Sequence, residues 1–579
     1  MRSPFHLFSS AALAMAMCLL APLARAQDRP PDHDHGAMSG PMASMRMSPM
    51  PSLYMGQADK PGAPVFTGLG AHHHPISTTN PQTQALFDQG VKLMFGFNHA
   101  EAIRSFREAA RLDPSCAICW WGVAMALGSN INMPMPGDAV APAWESLQKA
   151  EALSAAASPA ERAWISALAK RYSPDPKADR AALDAAFAQA MGELSKAYPD
   201  DLDAATFYAE AMMDTQPWNY WEADGATPRG HGAEIVATLE HVLARAPDHP
   251  GALHLYIHAV EASTTPERAE AAADRLLVLM PQAGHIVHMP SHIYYRVGRY
   301  ADAARVNELA AKVDEDYIAT CRAQGFYPAG YYGHNIHFLW TSSEMQGRHA
   351  AAIDAARRLV KAVDAVNLAK QLPIAEVYVF TPVVTEVRFG RWDAVLAEPA
   401  PPKELSLDRA IWTYAQGFAH ANTGKLRAAS GDRRRLRALT KADYSKIEAM
   451  GVPASAMARL SLALLEGEIA RKRGDLDGAI ARFREAAAME HALPYTEPPY
   501  WHQPVSHLLG AALVDAKRPA EAEAVYRESL KTYRQDGWAL FGLRQALSAQ
   551  GKTDDAAAIQ RTFDDQWRAA DVTLTASRF

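Results

Sequence analysis

Long hydrophobic runs are missing from this chain beyond its first 26 residues, so nothing after them is built to cross a bilayer as a helix. Excess positive charge is missing too. The net charge is −6 over 579 residues, and mild acidity argues against nucleic acid and anionic membranes as partners. Cysteine is scarce, with 4 in all. Cys116 and Cys119 form a C-x-x-C pair, but Trp120 follows the second cysteine, which excludes a haem-attachment motif. In an oxidising compartment these two could close a local disulfide, leaving Cys321 over. The commonest enzyme signatures are absent: no H-E-x-x-H, no G-x-S-x-G and no P-loop, since Gly424-Lys425 lacks the upstream glycine. An unfamiliar metal site is not excluded by any of this.

Apolar content is 49%, and 12 Trp and 20 Tyr provide ample material for a core. At the N-terminus Arg2 supplies a short positive region, Leu7 to Leu23 is apolar, and Ala24-Arg25-Ala26 precedes Gln27. This is the pattern of a cleaved signal peptide over residues 1–26, and it predicts an exported protein, periplasmic or secreted. Cys18 does not read as a lipoprotein cysteine, because apolar residues continue after it. Residues 27–75 carry no helical period and are crowded with Pro, Gly, Ser, Met and His, which predicts a disordered arm. Folded structure is expected over 76–579, beginning near Pro81.

From Gln84 onward small and large residues recur at a fixed spacing. Gly90, Ala102, Phe106, Ala109 and Pro114 are followed in register by Trp120 and Ala124. Gly467, Ala479, Phe483 and Ala486 repeat the pattern, and Gly510, Ala522 and Tyr526 repeat it again. The chain resembles the tetratricopeptide repeat (TPR) superfamily over nearly all of residues 80–570, with a period of about 34 residues. The resemblance implies an all-α superhelix of stacked helix pairs, each unable to bury its apolar face alone. Inserted segments rich in Pro, Gly and aromatics interrupt the repeats: 130–142, 216–232, 316–333 and 491–504. Trp218-Asn219-Tyr220-Trp221, Tyr327, Tyr331-Tyr332 and Tyr500-Trp501 are expected to fold these segments back over part of the groove.

The repeat register can be set without using histidine, from Ala269 and Pro281, Gly298 and Ala303, and Gly347 and Ala352. Histidines then recur at equivalent points of successive first helices. His285 and His334 share one point; His254, His288 and His337 share the next; His258 and His292 share the one after; Glu261 lies a turn further on. These points span an arc of roughly 80° on one helix face. The resemblance implies that this arc lines the concave groove. His99, His231, His241, His249 and His349 fall outside it, so the clustering is not a general abundance of histidine. Imidazoles at i and i+4 can reach one ion, and neighbouring helices about 10 Å apart can be spanned through a metal. The set therefore reads as metal ligands, with copper first and zinc next. His507, and His502 with Glu497, could contribute if the superhelix curls far enough. Pro290, between His288 and His292, is expected to kink or delay that helix.

Before the repeats stand His33, His35, Met38, Met42, Met45, Met47 and Met50, then His72, His73 and His74. Thioethers choose Cu(I) and imidazole accepts Cu(II), so the arm reads as a metal-capturing segment. It resembles the tails of bacterial copper-tolerance proteins. Met133 and Met135 add two sulfurs in the first inserted segment. Three functions follow: an exported bacterial TPR protein that handles a transition metal; a metal-dependent enzyme with a substrate pocket in the groove; or a scaffold whose groove binds a peptide or protein partner.

Overall fold

A computed structural model describes residues 55–175, 177–323 and 327–579. The expected signal peptide, and His33, His35, Met38, Met42, Met45, Met47 and Met50 of the expected arm, lie outside the described residues. Among the described residues the fold is all-helical, with two isolated β-bridges and no strand. None of the described helices is long and apolar enough to cross a membrane.

Helix boundaries follow local chemistry. The first repeat pairs α1 (Pro81–Phe95) with α2 (His99–Leu112). The Asn80 side chain accepts from the Gln82 N–H, and Pro81 at the first helical position has no N–H to leave unpaired. Asn98 caps α2 through Glu101, and a Ser158–Glu161 capping box starts the helix at Pro159. Gly298 closes a later first helix at φ +85°, a left-handed conformation that strains residues with a Cβ.

Repeats lock together by inserting one large ring between two small residues. A Cβ on Gly90 would stand 2.4 Å from the ring of Phe106, and one on Gly122, in the next repeat, 2.6 Å from it. Tyr526 is held in the same way by Gly510 and Gly542, each with a virtual Cβ at 2.2 Å. Gly90, Phe106, Gly510 and Tyr526 are positions expected from the sequence; Gly122 and Gly542 are not among them. Burying each such ring stabilises the stack by about 1.5–3 kcal/mol.

Two features of the stack position the site. Repeats at both ends of the chain press onto the middle ones. Phe95 packs on Gly251, while Tyr300 Oη donates to Arg534 O at 3.0 Å and Trp538 Nε1 donates to Glu344 O at 3.0 Å. The second feature corrects the expected boundary of the arm. Residues 56–80 do not stand away from the repeats but lie along α1 and α2. Ala58 and Leu69 are buried, Phe66 N–H donates to Gln89 Oε1 at 2.9 Å, and Arg107 donates to Ala58 O at 3.0 Å. Pro- and Gly-rich sequence without helical period is irregular here, yet side chains of the first repeat satisfy its backbone.

Candidate metal centre

Three consecutive first helices carry the histidines. These are α3 (Pro250–Val260), the broken pair α4 (Gly284–His288) and α5 (Pro290–Val297), and α7 (Gly333–Met345), with α6 (Tyr300–Cys321) backing them. Pro290 interrupts the hydrogen-bond ladder, as expected, but Met289 keeps helical angles (φ −50°, ψ −39°), so His288 and His292 still face the same way. Their ring centroids are 4.8 Å apart.

The imidazoles fall into two triads, His254/His258/His285 and His288/His292/His334, with the donor atoms of each set within 4.8 Å of one another. Both triads are built alike. An i, i+4 pair on one first helix is completed by the histidine in the first turn of the next. The two pairs are 34 residues apart in the chain, one repeat, so the second triad is a displaced copy of the first. In the second case the third histidine arrives after an inserted segment that ends in a π-turn, Pro328–Tyr332.

Glu261, fully buried, joins the triads. His258 Nδ1–H donates to its Oε1 at 2.8 Å and His292 Nδ1–H to its Oε2 at 2.5 Å. The other rings are oriented by neutral acceptors. His254 Nδ1–H donates to Phe95 O at 2.6 Å, and His288 Nδ1–H donates to Asn307 Oδ1 at 2.6 Å. Asn307 is itself fixed by donating to Ala303 O at 2.7 Å. Four imidazoles thus commit Nδ1 to an oxygen acceptor and turn Nε2 inward. His254 Nε2 lies 3.1 Å from His285 Nε2, and His288 Nε2 lies 2.9 Å from His292 Nε2. His258 Nε2 and His285 Nδ1 are buried with no partner among the described residues.

Burial first, then the neighbouring rings, hold His254, His258, His285, His288 and His334 well below the ordinary histidine range, so they are neutral at pH 7. His292 is the exception. Burial opposes its charge, but the charge and hydrogen bond of Glu261, with those of Glu497 at 3.3 Å, lift it to about 10. Two lone pairs facing each other at 2.9 Å repel unless a cation lies between them, and the proton on His292 supplies one. For a metal at about 2.0–2.1 Å from each nitrogen in tetrahedral geometry, the donors would be roughly 3.3 Å apart. The His254–His285 and His288–His292 spacings of 3.1 Å and 2.9 Å are close to that, and the third donor of each triad lies within 4.8 Å.

Two aromatic residues with left-handed backbones flank the first triad. Phe97 (φ +54°) stacks on His285 at 5.3 Å and lies 4.5 Å from His254. Trp218 (φ +63°) meets His258 edge-on at 4.7 Å and donates Nε1–H to Ile131 O at 2.8 Å. Non-glycine residues in this conformation cost on the order of 1 kcal/mol and gather where the surroundings over-determine them. Phe97 was not among the residues the sequence singled out; it reads there as one apolar residue in a helix–helix turn.

Beside the triads lies a partly open cavity of about 80 Å³. Its floor is His258, Glu261, His285, His292 and His334, and its walls include Trp218, Tyr331, Trp340, Tyr378, Glu497 and Tyr500. Asn132, Trp218, Tyr331 and Glu497 bring residues of the four inserted segments to this cavity.

Other residues picked from sequence are placed differently. His337 joins neither triad. It stacks on Trp340 at 5.1 Å and lines the far part of the cavity, where burial lowers it to about 3. One turn along α7 from His334, its ring faces the next inter-helix space instead. His507 is engaged by Asp536 at 2.5 Å, and Met133 and Met135 are buried in their own loop. His72 and His74 both reach Asp203, at 3.1 Å and 2.7 Å, and His249 reaches it at 2.9 Å, while His73 pairs with Asp88 at 2.8 Å. These three arm histidines thus join the repeats, and the ligand atoms of His72, Asp203 and His249, like those of His74, Asp201 and Asp203, lie within 4.8 Å of one another. Cys116 and Cys119 form a disulfide, and Cys321 is free and buried.

No known family model matches this chain, and no curated protein is similar to it. Solved structures of helical repeat proteins align over much of it. The human IFIT1 dimer with PPP-AAAA is 12% identical, covers 86% of this chain and 92% of its own, and gives a TM-score of 0.32. Yeast Tom70 is 12% identical, covering 84% and 93% with a TM-score of 0.26. The P58(IPK) TPR domain is 12% identical, covering 64% and 96% with a TM-score of 0.19. The repeat architecture here rests on the ring-between-glycines packing.

Proposed function

We propose that this is a transition-metal protein whose two imidazole triads each hold one ion, copper ahead of zinc. His254, His258 and His285 are the ligands of one ion, and His288, His292 and His334 of the other. Glu261, Phe95 O and Asn307 orient the rings from behind, as acceptors of the non-ligating N–H do in metal sites. The observation that carries the reading is the facing of His288 Nε2 and His292 Nε2 at 2.9 Å while both Nδ1 atoms are committed elsewhere. All-imidazole sites without thiolate suit Cu²⁺ or Zn²⁺, and at equal geometry nitrogen donors hold Cu²⁺ more tightly. With the Met- and His-rich sequence before residue 51 and the predicted export signal, the setting we propose is metal handling outside the cytoplasm.

A second reading, a metal-dependent enzyme, is favoured by one observation: the cavity opens directly onto His258, His292 and Glu497. A peptide or protein partner, the third reading, would have to use another surface, because aromatic loops occupy the histidine face. The test is metal analysis of the purified full chain after copper loading and dialysis. Two copper ions per chain, lost in the His258→Ala/His292→Ala double variant, are expected. Protein that retains none overturns the proposal.

A further inference from the structure

The far end of the cavity holds chemistry that the triads do not use. His502 is buried and both of its ring nitrogens lack a hydrogen-bond partner among the described residues. The nearest carboxylate, Glu344, is 3.8 Å from its Nδ1, beyond hydrogen-bond reach. Each such unpaired buried atom costs about 1–3 kcal/mol, which a guest bonded to the ring would recover. His502 lies 6.0 Å from the Trp340 indole, in a stacked orientation, and His337 stacks on the same indole. Trp218, Tyr331, Tyr378 and Phe380 supply further aromatic wall.

The lining also says what the guest is not. None of the described lining residues is Lys or Arg, whereas Glu261 and Glu497 both line the cavity. The one cationic lining group, protonated His292, is already paired with Glu261 and Glu497, so a carboxylate, phosphate or sulfate would meet repulsion without a free counter-charge. Burial holds His502 and His337 below the ordinary histidine range, so both are neutral, and each offers a hydroxyl group either a donor or an acceptor. At about 10–15 Å³ per water, the 80 Å³ space holds about five to eight, the heavy-atom content of one small substituted six-membered ring.

We propose that this cavity binds a small neutral aromatic molecule bearing a hydroxyl group, of the phenol class, with its ring among the aromatic walls and its hydroxyl on His502. His502 and His337 belong to neither triad, so the inference stands apart from the metal reading. 4-Methylphenol and toluene differ by that one hydroxyl, and their affinities for the full chain can be compared by calorimetry, metal-free and copper-loaded. The phenol is expected to bind about tenfold more tightly, the worth of one good hydrogen bond. His502→Phe should bring the two within about twofold, and His502→Gln, which keeps a donor and an acceptor, should restore part of the difference. Equal affinities in the wild type, no binding of either probe, or tighter binding of benzoate or benzylamine overturn the proposal. Should His502→Phe fail to fold, the wild-type comparison decides alone. Copper retention without phenol selectivity would leave the metal reading intact, and phenol selectivity without copper would do the reverse.

Discussion

Replacing Glu261 by Gln tests the proposed metal centre where its two halves meet. The carboxylate accepts Nδ1–H from His258 at 2.8 Å and from His292 at 2.5 Å, one on each oxygen. Glutamine keeps the shape but has one acceptor oxygen and one NH₂. One of the two imidazoles must then face a donor. It either loses its bond or moves its proton to Nε2, which removes a ligand lone pair. Loss of such an orienting acceptor lowers metal affinity about 10–100-fold, or about 1.4–2.7 kcal/mol at about 1.4 kcal/mol per tenfold. Competition against a chromophoric chelator, with Cu²⁺ and Zn²⁺ separately, measures this, and the count of ions per chain should be unchanged. Affinity within about threefold of wild type refutes the orienting role. A loss well beyond about a thousandfold, or of one whole ion, refutes it differently, by making Glu261 itself a ligand with His258 and His292.

Because each triad has three imidazoles of its own and shares only Glu261 with the other, His288→Ala should halve the copper retained after dialysis, and His254→Ala should do the same from the other side. A variant losing both ions, by elemental analysis, would refute two separate sites. Asp314 is fully buried, and burial lifts its carboxyl to about 7 although Tyr327 and Asn335 donate to it. The folded state therefore keeps its proton to higher pH than the unfolded chain. Its contribution to stability is full below about 3.8 and is lost as pH rises through about 7, by at most about 4 kcal/mol. Asp314→Asn should remove that decline, so its Tm advantage over wild type should grow from pH 4 to pH 8; an advantage that shrinks with pH contradicts this. Asp203→Ala should free residues 71–80 from the repeats, seen as faster limited proteolysis within 56–80 with the helical signal retained. Gly510→Ala places a methyl 2.2 Å from Tyr526 and should cost about 1–3 kcal/mol in denaturant unfolding; a neutral result would undo the interlock argument.

Much of the centre was legible in the chain because it is periodic. A first helix presents the same arc every repeat, so His254/His258 and His288/His292 could be paired from spacing alone, with Glu261 a turn beyond. Residues 55–75 read as part of the arm for the opposite reason. Their order comes from Gln89 and Arg107 of another segment, and no pattern inside them records it.

Sequence by itself determined the repeat, the recurrence of small and large residues in it and the helix face that carries the imidazoles, because these depend on helix geometry over a few turns. Tertiary structure decided which third imidazole completes each pair. His285 and His334 enter and His337 does not, because the pitch between neighbouring helices sets where each ring lands. It also brought in Phe97, Trp218, Glu497 and His502, from segments that meet the histidines only because both ends of the chain pack onto its middle. Contacts of that kind follow from how the whole stack curves and closes, which no local spacing encodes.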